Sequence, residues 1–412
     1  MSLESLIADA FGSNLPVRIR AYDGTDVGPE DAATTLTLRA PDAVTRMVAS
    51  PGEVGIGRAY VAGDLVIDGD IYEALELRHA LPGVRLNASQ LRSLVEQLSL
   101  KDLRWLRPPP EEHHGWIRSH TRRSDASAIS HHYDVSNDFY RIVLGPSLTY
   151  SCALFDSPAD SLERAQENKH ELICTKLDLK PGMRLLDVGC GWGGMVLHAA
   201  KHHDVSAVGT TISQNQADLA EKRVVEEGLA DKIDIRLQDY RDVDDEPFDA
   251  ISSIGMFEHV GRKRLEQYFS KMADLLTPGG RIVNHAISKA STGKRRLIRR
   301  RNFMERYVFP DGELHEVGSI VTALQDAGLE VRHVENLREH YALTLRRWVA
   351  NLEESWDSAV SEAGLARARI WRLYMAVSAV NFEDNHLHID QVVGVRTPPS
   401  GRASVPLRPR WG

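Results

Sequence analysis

The sequence has few cysteines and lacks long apolar runs, and each shortage excludes a class of protein. Only three of 412 residues are cysteines, too few for a disulfide framework and without paired metal-ligand spacing. No apolar run reaches the roughly 18–20 residues that a membrane-spanning helix needs. The N-terminus, MSLESLIADAFG, carries acids and no basic segment, so a secretory signal is not expected. We therefore expect a cytoplasmic protein with reduced thiols and no bound metal.

The overall charge and composition limit the class of protein further. A net charge of −8 argues against broad affinity for nucleic acid, but it is compatible with a local basic patch. With 42% hydrophobic and 26% charged residues, the chain has the composition of a globular protein with a large core. A length of 412 residues favours two domains.

Three consecutive prolines, Pro108 to Pro110, mark the clearest break in the chain. Because proline can neither continue a helix nor donate to a sheet, residues 107–125 are predicted to form a stiff linker. Residues 1–106 contain short strand-like and helical stretches, which predict a small α+β domain. Residues 126–412 are the predicted catalytic domain, and they are mostly helical up to about residue 180.

From Met183 onwards strands alternate with helices, which predicts a mostly parallel sheet covered on both faces. A long helical region from Leu343 to about Phe382 precedes the last strand. The predicted strands are the apolar runs MRLLDVG, VSAVGTT, IDIRLQ, FDAISSIGM, GRIVNHAI, LEVRHVENL and HLHIDQVVGVR.

The strongest local motif is LLDVGCGWGG, in which an apolar strand runs into a glycine-rich turn that opens a helix. This arrangement is used where the backbone approaches a ligand closely, although a purely structural turn is the alternative. The glycines Gly189, Gly191 and Gly193 do not have the G-x-G-x-x-G spacing of dinucleotide-binding proteins. With Asp187 at the strand end, the motif resembles motif I of class I methyltransferases, whose loop wraps the methionine part of S-adenosylmethionine.

That resemblance implies a Rossmann-like α/β fold with a seven-stranded sheet and a helical lid. In such enzymes the second strand usually ends in an acid that holds the ribose, but here Thr211 and Ile212 stand at that place. After the third strand, Asp239 and Tyr240 could hold the adenine amine and cover its ring. Alternatively, Asp239 caps the next turn and Tyr240 is a core residue.

Longer motifs resemble bacterial cyclopropane-fatty-acid-phospholipid synthases over roughly residues 126–396, and the stretch YVAGDLVIDGD extends the match weakly towards the N-terminus. The matching segments are HYDVSNDFY, YSCALF, KLDLKPGMRLLDVGCGWGG, TTISQNQ, IGMFEHVG and RYVFPDGEL. The resemblance also implies the site. The cofactor-binding residues would be Tyr133, Tyr150, Ser151, Asp187, Gly189, Gly191, Thr211, Ile212, Gln216, Asp239 and Tyr240. The ligands of a bound bicarbonate would be Cys152, Glu258, His285, Tyr341 and the backbone of Ile287.

Each bicarbonate ligand also has a plain structural interpretation. Glu258 could cap a helix that begins near Arg262, and His285 could be a core histidine on a strand. Cys152 would then be a small buried hydrophobe, and Tyr341 an ordinary core residue. Their joint occurrence within the family motifs favours the site.

The chemistry explains why these residue types are needed. A sulfonium methyl group is already activated, but an alkene is a weak nucleophile and must be positioned against it. Methylation leaves a carbocation, so the site must exclude water. Bicarbonate could then remove a proton, held by the donors His285 and Tyr341 and by the acceptor Glu258. The predicted reaction converts the cis double bond of an unsaturated phospholipid acyl chain into a cyclopropane.

A basic run, KRRLIRRRNFMER, predicts a transient contact with anionic lipid at the inner face of the cell membrane. Phe303, Met304 and Phe309 could dip into the interface. A solvated helix face is the alternative, and nucleic acid is not expected because no binding module accompanies the run. A homodimer is a further expectation from the resemblance. The basic residues are Lys294, Arg295, Arg296, Arg299, Arg300 and Arg301.

Other functions remain open at this point. Loss of a proton from a chain carbon would give a methylene-branched chain, and AISHHYDVSN and IVNHAIS resemble actinobacterial enzymes that start the synthesis of ten-methyl-branched fatty acids. The full set of bicarbonate ligands disfavours a small-molecule N-methyltransferase. The intact glycine loop and Glu258 disfavour a non-enzymatic lipid-binding protein.

Overall fold

The computed structural model divides the chain into two compact units. The first comprises residues 1–115, 298–310 and 356–377, and the second comprises residues 116–297, 311–355 and 378–412. The sequence-based boundaries differ from this division, because two later segments return to the first unit. The structure describes residues 3–11, 15–80, 108–112, 135–290, 302–309, 312–403, 405–408 and 411.

The secondary structure within these residues is as follows. The strands are β1 Arg18–Ala21, β2 Asp26–Val27, β3 Thr35–Leu38, β4 Leu65–Asp68, β5 Arg184–Val188, β6 Ser206–Thr211, β7 Ile233–Leu237, β8 Phe248–Ile254, β9 Leu276–Lys289, β10 Leu329–Asn336 and β11 Leu387–Arg396. The helices are α1 Leu3–Phe11, α2 Pro41–Ala49, α3 Glu53–Ala62, α4 Ile71–Ala80, α5 Asn137–Leu144, α6 Leu162–Leu177, α7 Gly194–His203, α8 Gln214–Glu226, α9 Leu265–Leu275, α10 Phe303–Tyr307, α11 Val317–Asp326, α12 Arg338–Glu354, α13 Trp356–Ala363 and α14 Leu365–Glu383.

The first unit is an α+β structure around a four-stranded sheet in the order β2-β1-β3-β4. Val17 and Ile19 pack with Leu77 in its apolar core. From the later segment, the buried Arg372 donates to the carbonyl oxygen of Gly69 at 3.0 Å, which accounts for the inclusion of residues 356–377 in this unit.

The described part of the predicted linker, residues 108–112, contains a buried carboxylate. The Glu112 side chain accepts hydrogen bonds from Arg58 at 2.7 Å, from Tyr307 at 3.1 Å and from Arg306. Burial alone would raise the pKa of Glu112, but the two guanidinium groups lower it below its ordinary value. A buried ionised acid needs such partners, and all three belong to the first unit. These contacts explain why residues 108–112 belong to that unit.

One residue expected at a membrane interface lies elsewhere. Phe303 is only 4% exposed, and its ring stacks on Tyr307 at 4.8 Å between ring centroids. It also lies against Gly57 of α3, where an added Cβ would come within 2.4 Å of the Phe303 ring. The expectation that Phe303 dips into lipid is therefore wrong, since packing within the first unit already buries it.

The second unit contains the predicted seven-stranded sheet, in the order β10-β11-β9-β8-β5-β6-β7. Strand β11 runs antiparallel to both of its neighbours, and the pairs from β9 to β7 are parallel. All seven predicted strands are confirmed. Successive residues of β5 face opposite sides, so Leu185 and Leu186 belong to two separate apolar cores.

The helical predictions are confirmed only in part. The region before residue 180 contains α5 and α6, each capped by a serine: Ser136 accepts from Phe139 N at 3.1 Å, and Ser161 from Arg164 N at 3.2 Å. Residues 145–161 between them are not helical, and Pro146 and Pro158 explain the break. The late helical region begins at Arg338 and forms three helices. Among the described residues, no helix is long and apolar enough to cross a bilayer.

Candidate functional site

The glycine-rich turn lies at the carboxyl end of β5, where ligands bind in open α/β sheets. Gly189, Gly191 and Gly193 have φ values of 78°, 55° and 80°, a left-handed conformation that favours glycine. The N–H groups of Gly189 and Cys190 both donate to the carbonyl oxygen of Thr210, at 2.9 and 2.8 Å. The end of β6 therefore fixes the turn that opens α7.

A cavity opens above this turn. All the predicted cofactor-binding residues that the structure describes line it: Tyr150, Ser151, Asp187, Gly189, Gly191, Thr211, Ile212, Gln216, Asp239 and Tyr240. Tyr133 lies outside the described residues. The strand order explains the convergence, because the carboxyl ends of β5, β6, β7 and β8 meet at one edge of the sheet.

The residues expected near the ribose are held by one another. The Thr211 hydroxyl donates to Gln216 Oε1 at 2.8 Å and accepts from Ser213 N at 3.2 Å. The two side chains are each 6% exposed, and their contact joins the end of β6 to the first turn of α8. Hydroxyl and amide groups thus stand at the strand end where the sequence comparison with class I methyltransferases led us to expect an acid.

Both interpretations of Asp239 have support. Its carboxylate accepts from Arg241 N at 3.0 Å and from Arg241 Nε at 2.8 Å, so Asp239 does cap the 3₁₀ turn Tyr240–Asp242. It nevertheless lies on the cavity wall. Tyr240 is half-buried rather than a core residue, and its ring meets the edge of Tyr268 at 5.1 Å.

The sequence analysis missed Lys169, a buried lysine on the cavity wall. Its ammonium group donates to Ser151 Oγ at 3.0 Å. Burial lowers the pKa of Lys169 to about 7, although Cys152 and Asp187 act in the opposite direction. A signal was available, because Ala165, Lys169 and Ile173 share one buried face of α6 at helical spacing.

Asp187 faces the same cavity from the end of β5. Its carboxylate accepts from Ser252 Oγ at 2.7 Å. Burial raises the pKa of Asp187 to about 6, and the hydrogen bond and Lys169 only partly offset this effect. An acid and a base therefore line the same cavity, and burial shifts their pKa values in opposite directions.

None of the five expected bicarbonate ligands lines the cavity itself. Glu258 lies behind the wall, in a 3₁₀ turn at Phe257–His259 that follows β8, and its Oε1 accepts from Ile287 N at 2.6 Å. The helix-cap interpretation is wrong, because the N–H of Arg262 donates to Glu313 Oε2 at 2.9 Å instead. Burial raises the pKa of Glu258 to about 7 despite the Ile287 hydrogen bond.

His285 is fully buried on β9, and a relay of side chains sets its orientation. Lys176 Nζ donates to Gln391 Oε1 at 2.6 Å, which leaves the Gln391 amide nitrogen to donate to His285 Nδ1 at 3.0 Å. Burial, followed by the charges of Lys169 and Lys176, keeps the pKa of His285 well below its ordinary value. His285 is therefore a neutral imidazole that carries its proton on Nε2.

Cys152 and Tyr341 meet at one carbonyl group. The Leu337 carbonyl oxygen lies 3.8 Å from Cys152 Sγ and accepts from Tyr341 N at 3.2 Å. Leu337 N donates in turn to Ile389 O at 2.8 Å, and Ile389 pairs with Ile287 across the sheet. Through Leu337 and Ile389, Cys152 and Tyr341 are therefore connected to Ile287, which bonds to Glu258.

The region behind the wall is joined to the cavity in two ways. Gly255, which lines the cavity, donates its N–H to the His285 carbonyl oxygen at 2.9 Å. A row of aromatic rings also runs from the cavity wall to Tyr341, with centroid separations of 4.7 to 6.0 Å. The rings in order are Trp192, Tyr140, Tyr150, Trp348, Tyr341 and Phe382. Such a row excludes water, and its faces favour positive charge.

Comparisons with known proteins identify relatives of this chain. The family model for mycolic acid cyclopropane synthetase matches residues 120–392. A probable fatty acid methyltransferase of Mycobacterium tuberculosis is 47% identical over 407 residues, which are 96% of this chain and 95% of that protein. A tuberculostearic acid methyltransferase of the same organism is 31% identical over 399 residues, 94% of this chain and 89% of that protein. The crystal structure of mycolic acid cyclopropane synthase CmaA1 with SAH and CTAB has a TM-score of 0.62, is 32% identical, and covers 66% of this chain and 98% of its own.

Replacing Gly191 with alanine should weaken the binding of S-adenosylmethionine about tenfold or more, since overpacking typically costs 1–3 kcal/mol. An added Cβ there meets no protein atom within 4 Å, so only a bound ligand would be crowded. Titration calorimetry with S-adenosylmethionine measures the change.

The matched control is Gly228→Ala, in the turn after α8. Gly228 has a φ of 69° and equally open surroundings, but it does not line the cavity. The two substitutions should cost similar stability, about 1 kcal/mol for a left-handed residue. Equal affinity in both variants would show that the glycine loop does not hold the ligand.

Proposed function

The chain belongs to the mycolic acid cyclopropane synthetase family and is an S-adenosylmethionine-dependent methyltransferase, and from this premise we propose that it methylates the cis double bond of an unsaturated phospholipid acyl chain. One observation carries the proposal: the buried Glu258 is bonded to Ile287 N, two positions along β9 from the buried His285, whose carbonyl oxygen accepts from Gly255 on the cavity wall. The favoured product is a cyclopropane fatty acid, formed through a carbocation.

The two side chains fit a small anion. Glu258 Oε2 and His285 Nε2 are buried and have no hydrogen-bond partner among the residues that the structure describes. A buried polar atom without a partner costs about 1–3 kcal/mol, so these atoms favour a ligand that both donates and accepts. Bicarbonate has this property, and its O–H could donate to Glu258 while its oxygens accept from His285. When bound, it would supply a base for the proton that leaves the methylated chain.

The expected ligands differ in how directly they could act. The Ile287 N–H is already bonded to Glu258, so Ile287 positions the carboxylate. Burial raises the pKa of the Cys152 thiol, so Cys152 stays protonated and contributes a weak donor. Tyr341 lies between Trp348 and Phe382 in the aromatic row.

The charges around the cavity suit a cationic methyl donor. A sulfonium carries a positive charge, and a permanently charged neighbour would oppose it. Because the pKa of Lys169 is lowered to about 7, its ammonium can lose a proton at little cost when the sulfonium enters. Ionised Glu258 and the aromatic faces then offset the carbocation that forms on the acyl chain.

The proposal is tested first by Glu258→Gln. Turnover should fall by about 100-fold or more, because Gln cannot provide the charge that orients the base and offsets the cation. The affinity for S-adenosylmethionine should stay within about twofold, since Glu258 does not line the cavity. Single-turnover methyl transfer and titration calorimetry measure the two quantities.

The control for this substitution is Glu313→Gln. Glu313 Oε2 accepts from Arg262 N in the next 3₁₀ turn, Arg262–Arg264, but Glu313 is more exposed than Glu258. Its activity should stay near that of the unchanged protein. A Glu258→Gln variant that keeps a third or more of its turnover would refute the role of the carboxylate.

The pH dependence follows from the raised pKa of Glu258. The ionised form is the active one, so kcat/KM should rise with pH through about 7, measured at constant bicarbonate concentration.

The free energy of unfolding should instead fall as the pH rises. The folded protein holds the Glu258 proton more tightly than the unfolded chain, so the stabilisation is present below about pH 4.5 and is lost as pH rises to about 7.

Glu258→Gln removes the free-energy cost of ionising a buried carboxylate. The variant should therefore gain up to about 3 kcal/mol relative to the unchanged protein at pH 8, and little at pH 4.5, as measured by denaturant unfolding. An equal change at both pH values would contradict the burial of an ionising carboxylate.

The reaction is tested by mass spectrometry of fatty acids from a host that expresses the chain. Cyclopropane acids support the favoured product. Methylene-branched acids would support the second candidate, which the near-full-length similarity to a tuberculostearic acid methyltransferase favours. An unchanged profile from a protein that binds S-adenosylmethionine would reject both.

We also propose that the enzyme reaches its substrate at an anionic membrane surface. The basic run from Lys294 to Arg301 lies outside the described residues, so the proposal rests on its charge. The protein should sediment with phosphatidylglycerol vesicles at low salt and not with phosphatidylcholine vesicles. Binding that ignores both lipid charge and salt would refute it.

A further inference from the structure

A cluster of potential metal ligands is formed by side chains of the neighbouring helices α6 and α7, and none of them has been used above. One ligand atom each from Cys174, His198 and His203 lies within 4.8 Å of the others. Cys174 is fully buried, and the His198 and His203 side chains are 12% and 19% exposed. A thiol and two imidazoles are the donors that zinc prefers.

A carboxylate completes the cluster. Glu171 Oε2 lies 3.2 Å from His198 Nε2 and 3.0 Å from His203 Nε2. Glu171 and Cys174 are three residues apart on α6, so they project from the same face of that helix. The Glu171 side chain is 51% exposed, which leaves a path for an ion from solvent.

The geometry points to a zinc site formed by Cys174, His198 and His203, with Glu171 as the fourth ligand. Metal–ligand bonds of about 2.0–2.3 Å place neighbouring ligand atoms of a tetrahedral zinc site about 3–4 Å apart. The ligand atoms of Cys174, His198 and His203 lie within 4.8 Å of one another, at most about 1 Å beyond that range, so small side-chain rotations can close these gaps. Glu171, which already contacts both histidines, would also have to turn towards Cys174. On binding, the Cys174 thiol loses its proton to solvent, and both histidines bind as neutral imidazoles.

Four protein ligands fill a tetrahedral site, so the bound ion would be structural rather than catalytic. It would fasten α6 to α7. Helix α6 carries Lys169, and α7 starts directly after the glycine loop. His170 also lines the cavity and lies 5.5 Å from the His198 ring, so the ion would hold the back of the methyl-donor site.

The experiment uses the full chain, stripped with a chelator, dialysed and titrated with zinc chloride. Calorimetry and metal analysis should find one zinc per chain that survives gel filtration. His203→Ala and Cys174→Ser should each abolish retention, and Glu171→Gln should weaken affinity by about 10- to 100-fold. Cobalt in place of zinc should give a thiolate charge-transfer band that Cys174→Ser removes.

The matched control is His202→Ala. The His202 ring lies 4.6 Å from that of His198, but His202 is not one of the three ligands, so the variant should retain zinc. Because Cys174 is buried and its replacement could impair folding, the partly exposed His203 provides the deciding variant. The site is refuted if the unchanged chain retains no zinc, or if His203→Ala and His202→Ala retain it equally. Neither result bears on methyl transfer, which the Glu258 variants test separately.

Discussion

The hydrogen bond between Glu258 Oε1 and the N–H of Ile287 is the contact on which the rest of the site depends. It fixes the position of a carboxylate whose pKa is raised to about 7 by burial, and the bond itself only partly offsets that rise. The bond exists because β8 and β9 are parallel neighbours, and the turn after β8 therefore folds over the end of β9. A nearby positive charge would lower the pKa of such an acid, so Glu258 can become ionised during the reaction.

His285 lies near the same end of β9. The orientation of its imidazole is set by residues that are remote from it in sequence. Lys176 and Gln391 are separated by 215 positions, yet their 2.6 Å hydrogen bond turns the Gln391 amide towards His285. The pairing of β9 with β11 brings Gln391 opposite His285. If the Gln391 amide were reversed, its oxygen would face His285 Nδ1, and that nitrogen would have to carry the proton. Lys176 therefore determines that the His285 proton is on Nε2. Removing Lys176 would therefore leave the His285 imidazole poorly oriented, although Lys176 does not bond to His285 directly.

How much the sequence could predict depended on the range of the interactions. Alternating apolar runs and the glycine spacing are local, and they predicted all seven strands and the glycine-rich turn, whereas most of the other cavity residues were implied by the family resemblance. Relayed contacts such as Lys176 to Gln391 join distant segments, and no local pattern indicates them. The return of residues 298–310 to the first unit is similar, since it depends on Glu112 meeting Arg306. Cys174, His198 and His203 escaped notice because their spacing is meaningful only once α6 and α7 are packed together.

The choice between a cyclopropane and a methylene-branched product must be made by residues other than Glu258 and His285. Both products come from one carbocation and one base, and they differ only in which proton leaves. The distance from the base to each candidate proton depends on how the acyl chain is held, not on the strength of the base. In the described part of the chain, an aromatic row runs from Tyr150 on the cavity wall through Trp348 to Tyr341, one of the expected bicarbonate ligands, and on to Phe382. Changes in its ring sizes should therefore shift the product ratio, whereas changes at Glu258 should lower both products together.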